Sequence, residues 1–298
     1  MACSGRTTVT IAICTYKRPL ELRRVLEAMV QQSVPVPWVV KILVIDNDAR
    51  GSGRDALTAE LQAGRELDIR IVIERSIGVG NARQRALDEV AEEPGPLIFF
   101  DDDQIPEAGW LTCLLEKHIA DPQVMWSAPV QPVLPENLPR WAGDGWPWSR
   151  PRYPDGSSLA VAGNGNLLLP SEVRRLPQCV YSDHFRSGMG EDTELTQRLV
   201  RAGVKIRYAS GAKAFEVLSS ERISKHWVLD RNRSASAVWA KLQVLDGSRA
   251  LLVGSVMKQA ATAFLVILGF LTHNEELRFR GQVAVSILEG YREGLGSQ

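Results

Sequence analysis

The sequence predicts an α/β protein built around a mostly parallel sheet with helices on both faces. In the first third of the chain, amphipathic segments alternate with apolar runs at 9–14, 39–45, 69–73 and 97–100. These runs are almost continuously apolar, which is typical of parallel strands buried on both faces. Polar clusters directly follow three of them. Because ligands bind beyond the carboxyl ends of the strands in open α/β sheets, this edge is the predicted binding site.

The helices between these strands carry recognisable start signals. Pro19 suits the first turn of a helix whose apolar face runs from Leu22 to Met29. Residues 78–81 open a second amphipathic helix, with Asn81 as its predicted N-cap. A third helix is predicted to begin at Pro106.

The second half of the chain shows weaker patterns. Further strands are predicted at 124–130, 160–169 and 212–218. Ser171 is the expected cap of a short helix, and Gly203 is expected to end a longer one. From Ser224 onward the pattern is helical.

The composition narrows the class of protein. With 298 residues the chain is long enough for one large core plus an appendage. Lys plus Arg and Asp plus Glu each total 35, so no global charge favours nucleic acid, and we expect no nucleic-acid partner. The 4 cysteines are far apart, which argues against a zinc ribbon or a disulfide framework and fits a reducing cytoplasm.

Three consecutive carboxylates, Asp101–Asp103, follow the apolar run 97–100. Adjacent anions at the rim of a core repel each other, and a bound divalent cation would relieve that repulsion. Oxygen ligands favour Mg²⁺ or Mn²⁺ over zinc. The alternative is a solvated acidic turn before the next helix.

The other strand ends carry groups suited to a nucleotide. Thr15 and Tyr16 follow the first strand, and Tyr16 offers a ring for stacking on a base. Asp46 or Asp48 can accept a hydrogen bond from a base or a ribose hydroxyl, and Arg83 on the helix after Gly78 can face a phosphate. The chain has neither GxGxxG at this position nor GxxxxGK[ST], which argues against nicotinamide, flavin and P-loop chemistry. Taken singly, Tyr16, Asp46 and Arg83 are each better explained as ordinary surface residues.

A second acidic pair, Glu191 and Asp192, follows a loop with glycines at 188 and 190. Acidic residues in the first turn of a helix are favoured by the helix dipole, which is the structural explanation for the pair.

In chain order, the stretches 11–19, 44–48, 78–83 and 100–103 resemble a family 2 glycosyltransferase of the GT-A fold, most of all its bacterial exopolysaccharide, succinoglycan-type branch. The resemblance covers roughly residues 8–232. It implies an inverting transferase that uses a nucleotide sugar, commonly a UDP-sugar, and a saccharide or lipid-linked acceptor. It also implies a catalytic domain over 1–223, with a nucleotide-sugar half at about 7–103 and an acceptor half at 104–223, followed by a helical region over 224–298.

The resemblance assigns roles on the donor side. Asp101 and Asp103 match the family's DXD motif, so they are the implied ligands of Mg²⁺ or Mn²⁺, with Asp103 the direct one. Glu216 stands where many members have a metal-binding His, although a plain exposed Glu on an edge strand explains it equally well. The residues expected to bind the donor are Thr15, Tyr16, Arg18, Asp46, Asp48, Arg83, Asp101, Asp102 and Arg231.

The resemblance also assigns roles on the acceptor side. Asp192 is the implied general base, which takes the proton of the attacking hydroxyl, and Glu191 is its neighbour or an acceptor ligand. Asn166 matches an acceptor-side Asn of the family. In the Pro- and Trp-rich segment 132–154, Trp141, Trp146 and Trp148 either stack on the acceptor sugar or attach the segment to a core.

The C-terminal region combines basic charge with apolar sequence. Residues 222–258 contain many more Lys and Arg than Asp, and 260–271 are uncharged. This run is too short to cross a membrane, and extending it back to residue 250 includes Lys258, whose charge makes a crossing unfavourable. We therefore expect either a helix at an anionic membrane surface, placing the protein in the cytoplasm at the inner face of the membrane, or core packing or a homodimer interface.

Two other functions remain open at this stage. A sugar-nucleotide nucleotidyltransferase would share the sheet and the metal, but it would typically need a glycine-rich loop near residues 15–19, which have none. A non-catalytic carbohydrate-binding protein would use the tryptophans and leave both acidic clusters without a role.

Overall fold

The computed structural model describes residues 7–57, 68–186, 188–245 and 249–296, and the chain forms two compact units. The first unit comprises Met1–Gln131 with Arg150–Glu216, and the second comprises Pro132–Ser149 with Val217–Gln298. The short segment 132–149 therefore groups with the C-terminal helices. The predicted functional division after residue 223 stays a prediction.

The described strands lie in the first unit, apart from residues 132–133 and 217, which belong to the second. They are β1 (Thr7–Thr15), β2 (Trp38–Asp46), β3 (Asp68–Ile73), β4 (Leu97–Asp101), β5 (Gln104–Pro106), β6 (Met125–Ser127), β7 (Val130–Val133), β8 (Ser158–Leu159), β9 (Asn166–Leu169), β10 (Ile206–Tyr208) and β11 (Ala214–Val217). Its helices are α1 (Pro19–Val30), α2 (Val79–Glu89), α3 (Trp110–Ala120), α4 (Ser171–Arg174) and α5 (Glu191–Arg201).

An eight-stranded sheet in the order β3-β2-β1-β4-β9-β6-β10-β8 forms the centre of this unit. Strands β3, β2, β1 and β4 are parallel, and β9 runs antiparallel to both β4 and β6. A smaller sheet has the order β5-β11-β7. The predicted α/β architecture with a mostly parallel mixed sheet is confirmed.

Both faces of the large sheet are buried, as the continuous apolar strands predict. In β1, Ile11 and Ile13 pack into one core with the apolar face of α1, whereas Ala12 packs into the opposite core with Ala82 and Ala86 of α2. Because successive side chains of a strand point to opposite faces, a strand covered on both sides must be apolar throughout.

The starts of several elements differ from the sequence-based predictions. Helix α2 begins at Val79 with Gly78 as its N-cap, so the prediction that Asn81 caps it is wrong. Gly78 has a φ of 135°, which only glycine adopts readily, and the Asn81 amide instead donates to Ile77 O at 3.1 Å. The helix predicted from Pro106 begins at Trp110, because Pro106 pairs with Ala214 of β11.

Two predicted strands are shorter or divided. The run 124–130 forms β6 and the start of β7, which lie in different sheets. Within 160–169 only Asn166–Leu169 is a strand. Ser171 is the first residue of α4, and Pro170 occupies the cap position. By contrast, Pro19 is the first residue of α1, and Gly203 follows the end of α5 with a φ of 92°, both as predicted.

The second unit is helical, as predicted. Its helices are α6 (Lys225–Leu245), α7 (Arg249–Ala263), α8 (Leu265–Leu271) and α9 (Glu275–Gly296). Gly290 and Gly294 of α9 lie against backbone carbonyls of α6, where any side chain would collide. A core of Trp141, Trp148 and Phe279 joins segment 132–149 to α9. Across the described segments, none of the helices has both the length and the apolar character that crossing a membrane requires.

Candidate active site

The first two predicted polar strand ends and the first Asp of the triple cluster lie side by side. Strand β1 pairs with both β2 and β4, which places Thr15 opposite Asp46 and Cys14 opposite Asp101. All three strands are parallel, so their carboxyl ends meet at one edge of the sheet. This edge belongs entirely to the first unit.

Arg18 and Thr15 hold the acidic turn after β4. The Thr15 hydroxyl donates to Asp102 Oδ2 at 2.7 Å. The Arg18 Nη1 donates to Asp102 Oδ1 at 3.2 Å and to Asp103 Oδ2 at 3.1 Å. Burial raises the pKa of Asp102 to about 6, and the neighbouring carboxylates add to the rise while Thr15 and Arg18 oppose it. The turn is therefore not a solvated acidic loop but a compact anionic cluster with a bound guanidinium.

Arg83 joins this cluster to the second acidic pair. Its Nη2 donates to Asp101 Oδ1 at 3.0 Å, and its Nη1 donates to Glu191 Oε1. The side chain is buried on the inner face of α2. Burial opposes its charge, but the carboxylates of Asp101 and Glu191 raise the pKa of Arg83 above its usual value. A permanent positive charge therefore connects the end of β4 to the first turn of α5.

The two residues of the acidic pair have different surroundings. Glu191 is buried, and burial together with the neighbouring Asp192 raises its pKa to about 7 despite the opposing charge of Arg83. Asp192 is only half-buried. Its Oδ1 accepts from the Thr193 N–H at 2.6 Å, and its Oδ2 lies near Gly163. Glu191 is thus held in the protein, whereas Asp192 is the more accessible carboxylate.

The polar end of β2 is buried and is bound mostly by backbone groups. Asp46 Oδ1 accepts from the Asp48 N–H at 3.0 Å, and its Oδ2 accepts from the Gly53 N–H at 2.6 Å. Asp48 accepts from the Arg50 N–H at 3.1 Å, a bond that lowers the pKa of Asp48. These carboxylates shape the loop after β2, and donor binding by Asp46 and Asp48 stays a prediction.

Tyr16 is the exposed aromatic side chain of the β1 end. It is 43% exposed, and the Nζ of Lys17 lies 4.9 Å from its ring centroid. Lys17 itself adopts a φ of 55°. An accessible ring beside a strand end offers a stacking surface for a planar base.

Two residues predicted to serve the metal and the acceptor are themselves buried and have partners in the protein. Glu216 lies on β11, the central strand of the small sheet, and pairs with Arg150, so the exposed-edge interpretation of Glu216 is wrong. Asn166 accepts from Trp110 Nε1 at 2.9 Å, and its amide donates to two backbone carbonyls. These contacts give Asn166 a structural role, and its acceptor role stays a prediction.

The remaining predicted site residues belong to the second unit. Trp141 and Trp148 are buried there, and Trp148 Nε1 donates to Arg222 O at 3.0 Å. The guanidinium of Arg280 lies 4.4 Å from the Trp146 ring centroid. Arg231 is exposed on α6. The tryptophans therefore attach segment 132–149 to the helices, while contact of these four residues with donor or acceptor stays a prediction.

The carboxylates of this site suit a divalent cation that is bound by the protein and by the substrate together. In the described segments, no group of three His, Cys, Asp or Glu side chains forms a closed metal site. Mg²⁺ is usually bound by one or two carboxylates together with substrate phosphates, not by a complete protein cage. Asp101 and Asp103 supply hard oxygen ligands of that kind, and the Arg18 guanidinium on Asp103 shows that this position attracts positive charge.

Sequence reasoning missed the residues that fix Asp101. Gln104 Nε2 donates to Asp101 Oδ2 at 3.1 Å, and a side chain at Gly165 would collide with the same carboxylate. The sequence did contain one sign that Arg83 has a buried partner. This residue occupies a helix position on the same apolar face as Ala82 and Ala86, where a charged side chain requires a buried partner.

A family model and a curated protein are both similar to this chain over much of its length. The model of the family described as "Glycosyl transferase family 2" matches residues 10–160. The succinoglycan biosynthesis protein ExoM of Rhizobium meliloti (strain 1021) is 29% identical over 224 residues, covering 75% of this chain and 71% of that protein.

Solved structures show the same fold at low sequence identity. GalNAc-T7, solved with UDP, GalNAc and Mn²⁺, aligns with a TM-score of 0.55 and 15% identity over 76% of this chain. The chain spans only 48% of that structure. Residues 1–349 of TarS from S. aureus align with a TM-score of 0.56 and 12% identity, covering 98% of this chain and 93% of that one. The GT-A architecture expected from the sequence is confirmed.

Proposed function

The chain belongs to glycosyl transferase family 2 and is a glycosyltransferase of the GT-A fold, and from this premise we propose how its residues carry out the transfer. The donor is a nucleotide sugar, with a UDP-sugar as the first candidate. The acceptor is a hydroxyl of a saccharide or of a lipid-linked saccharide. The name of the similar succinoglycan protein supports a polysaccharide acceptor.

One observation carries the proposal. Arg83 bonds both Asp101 and Glu191, so the two acidic motifs belong to one site although they lie far apart in the chain. The carboxylates of Asp101 and Asp103 then serve the donor diphosphate, and Asp192, next to Glu191 in the same helical turn, serves the acceptor. In this proposal Asp192 lies on the side of the transferred sugar opposite the diphosphate, which is the geometry that a direct displacement with inversion requires.

Asp192 is the proposed general base. A sugar hydroxyl is a weak nucleophile, so a carboxylate must accept its proton as the oxygen attacks the anomeric carbon. The new bond forms between the acceptor oxygen and the anomeric carbon, and the bond from that carbon to the diphosphate oxygen breaks. The proton moves to Asp192 and the nucleoside diphosphate leaves. Because the acceptor oxygen attacks from the face opposite the diphosphate, the anomeric configuration is inverted.

The departing diphosphate requires positive charge. Asp101 and Asp103 are the proposed ligands of Mg²⁺ or Mn²⁺, which when bound acts as a Lewis acid on the diphosphate. Arg18 now contacts Asp102 and Asp103 and is half-exposed, so it is placed to exchange these partners for a diphosphate oxygen. Tyr16 is the proposed stacking surface for the base.

Arg83 acts as a positioning residue. It is buried and already bonded to two carboxylates, so we revise its proposed role from phosphate contact to fixing the separation of Asp101 and Glu191. Since Asp192 follows Glu191 in the chain, Arg83 also sets where the base stands relative to the donor.

The experiment that tests the base compares Asp192→Asn with Glu194→Gln. Both changes remove one negative charge from the first turn of α5, but Glu194 pairs with Arg198 at 2.8 Å. We expect Asp192→Asn to bind UDP with unchanged affinity by calorimetry and to lose about 10²–10⁴-fold in kcat. Glu194→Gln should keep its transfer rate. A normal kcat for Asp192→Asn would exclude this residue as the base.

A further inference from the structure

Helices α7 and α8 carry a continuous apolar stripe on their exposed face. The stripe consists of Val253, Met257, Phe264, Leu268 and Leu271, whose side chains are 39–75% exposed. Their spacing of four, seven, four and three residues keeps them on one face of a helix. Phe264, between the two helices, has φ and ψ of −59° and −22°, so the chain stays close to helical geometry through the junction.

The opposite face of α8 is fixed against α9. A side chain at Gly281 would collide with Val266, and a side chain at Gly269 would collide with the backbone of Arg278. Because the two helices already touch at these glycines, α8 has no space to rotate, and the stripe cannot turn inward to become buried against α9. The stripe therefore faces away from the helices of its own unit.

The sequence segment that carries the stripe has formal charges of one sign. Residues 249–274 contain no Asp or Glu, and their formal charges are Arg249 and Lys258. The guanidinium of Arg278 lies 4.1 Å from the ring centroid of Phe270, which borders the stripe. Of the acids that follow, Glu276 bonds Arg280 at 2.7 Å and approaches Gly143, and Glu275 is exposed at the start of α9.

We infer that α7 and α8 lie in the plane of an anionic lipid surface, with the stripe inserted among the acyl chains. Exposed apolar side chains on one face of a segment whose sequence has basic residues and no acidic ones are the features of helices that bind such surfaces without crossing them. A second copy of the chain is the rival occupant, but it would leave the absence of acidic residues over 249–274 without a role. The inference is independent of the catalytic proposal, because no active-site residue takes part.

Flotation with lipid vesicles tests this directly. The purified full chain is mixed with vesicles of phosphatidylcholine alone or of phosphatidylcholine with phosphatidylglycerol. We expect binding to the anionic vesicles and weaker binding to the neutral ones. The variant Phe264→Gln/Leu271→Gln should bind the anionic vesicles roughly tenfold or more weakly, because two exposed apolar side chains no longer enter the membrane.

The matched control is Val36→Gln/Ile119→Gln, which changes two exposed apolar side chains of the first unit. It should bind vesicles like the parent protein. Circular dichroism and thermal unfolding should be unchanged in both variants, since all four positions are exposed. Undiminished vesicle binding by the stripe variant would overturn the inference. So would sedimentation velocity showing a dimer that the stripe variant dissociates, with no vesicle binding by the parent.

Discussion

At the scale of single residues, one guanidinium holds two acidic side chains from distant segments of the chain. Arg83 bonds Asp101 at the end of β4 and Glu191 at the start of α5. Arg83 and Glu191 are buried, whereas the Asp101 carboxylate is partly exposed. A buried ion pair adds little net stability compared with an apolar replacement of both partners, but removal of one partner leaves an uncompensated charge.

Replacement of Arg83 should therefore be costly, and a neighbouring Arg gives the comparison. We expect Arg83→Met to lower the free energy of unfolding by about 3–5 kcal/mol, measured by urea denaturation. Arg85→Met on the same helix should cost less than about 1 kcal/mol, because Arg85 is half-exposed and its partner Glu89 keeps a second ion pair with Arg70. Equal losses for the two variants would contradict a bridging role for Arg83.

Arg83→Lys separates positioning from general stability. A lysine keeps the charge but cannot make the two directed bonds of the guanidinium. We expect this variant to fold and to bind donor, with a lower kcat at a KM close to that of the parent. A normal kcat would show that the separation of the two acidic motifs does not depend on Arg83.

Glu191 should make stability depend on pH. Its pKa is raised from 4.5 to about 7 by burial and by Asp192, with Arg83 opposing. Between these values the folded protein binds more protons than the unfolded chain, so this contribution is present below pH 4.5 and is lost as the pH rises through 7. Thermal unfolding of Glu191→Gln should show a flatter pH profile across this window, whereas Glu194→Gln should follow the parent.

Individual residues were predicted from the sequence more successfully by type than by partner. Asp101, Asp103 and Asp192 are visible as acidic clusters after apolar runs. The ion pair of Arg150 with Glu216 leaves no local trace, because its two residues are far apart in the chain and meet only in the fold.

At the scale of elements, the loop between β8 and β9 controls where Asp101 lies. The N–H of Asp101 donates to Gly165 O at 3.3 Å, and a Cβ on Gly165 would meet the Asp101 carboxylate and Gln104 Nε2. A strand end and a loop from a different part of the chain thus determine one carboxylate position together.

Gly165→Ala should displace Asp101. We expect Mn²⁺-dependent UDP binding to weaken about tenfold by calorimetry, with a stability loss of about 1–3 kcal/mol from the crowding. Gly188→Ala is the control, since a Cβ there meets nothing within 4 Å. If both variants bind UDP and Mn²⁺ like the parent, then binding does not depend on the position that Gly165 gives to the Asp101 carboxylate.

Long apolar strands were predictable as elements, and short ones were not. Strands β1, β2 and β4 carry their own signal, because most of their residues are buried by the layers on either side. Strands β5, β6 and β8 have two or three residues each, and pairing with distant strands determines them. The cap of α2 and the start of α3 were missed, because a preceding glycine, not a polar cap, sets the geometry at both.

At the scale of the whole molecule, the chain leaves its first unit at residue 132 and returns at 150. The sequence marks this segment by its prolines and tryptophans but does not show which core receives it. The segment packs into the core of the second unit, where the ring centroid of Phe279 on α9 lies 4.5 Å from that of Trp141. The two residues are far apart in the sequence, and no periodic pattern of the sequence indicates that they meet.

The second unit should depend strongly on Phe279. We expect Phe279→Ala to destabilise this unit by about 3–5 kcal/mol, because the ring is fully buried and its loss leaves a cavity. Phe264→Ala, at a position 65% exposed, should have little effect in solution. Hydrogen exchange monitored by mass spectrometry should show faster exchange over 140–148 in the first variant and parent-like exchange in the second.

The central claim is that acidic groups at the tips of neighbouring parallel strands bind a cation and a nucleoside diphosphate together. Calorimetric titration of UDP into the protein, with and without Mn²⁺, tests it most directly. We expect tight binding only with Mn²⁺ and a loss of that difference in Asp103→Asn. Asp183→Asn, which changes an exposed carboxylate elsewhere in the first unit, should behave like the parent. UDP binding that is equally strong without Mn²⁺, or that survives unchanged in Asp103→Asn, would contradict it.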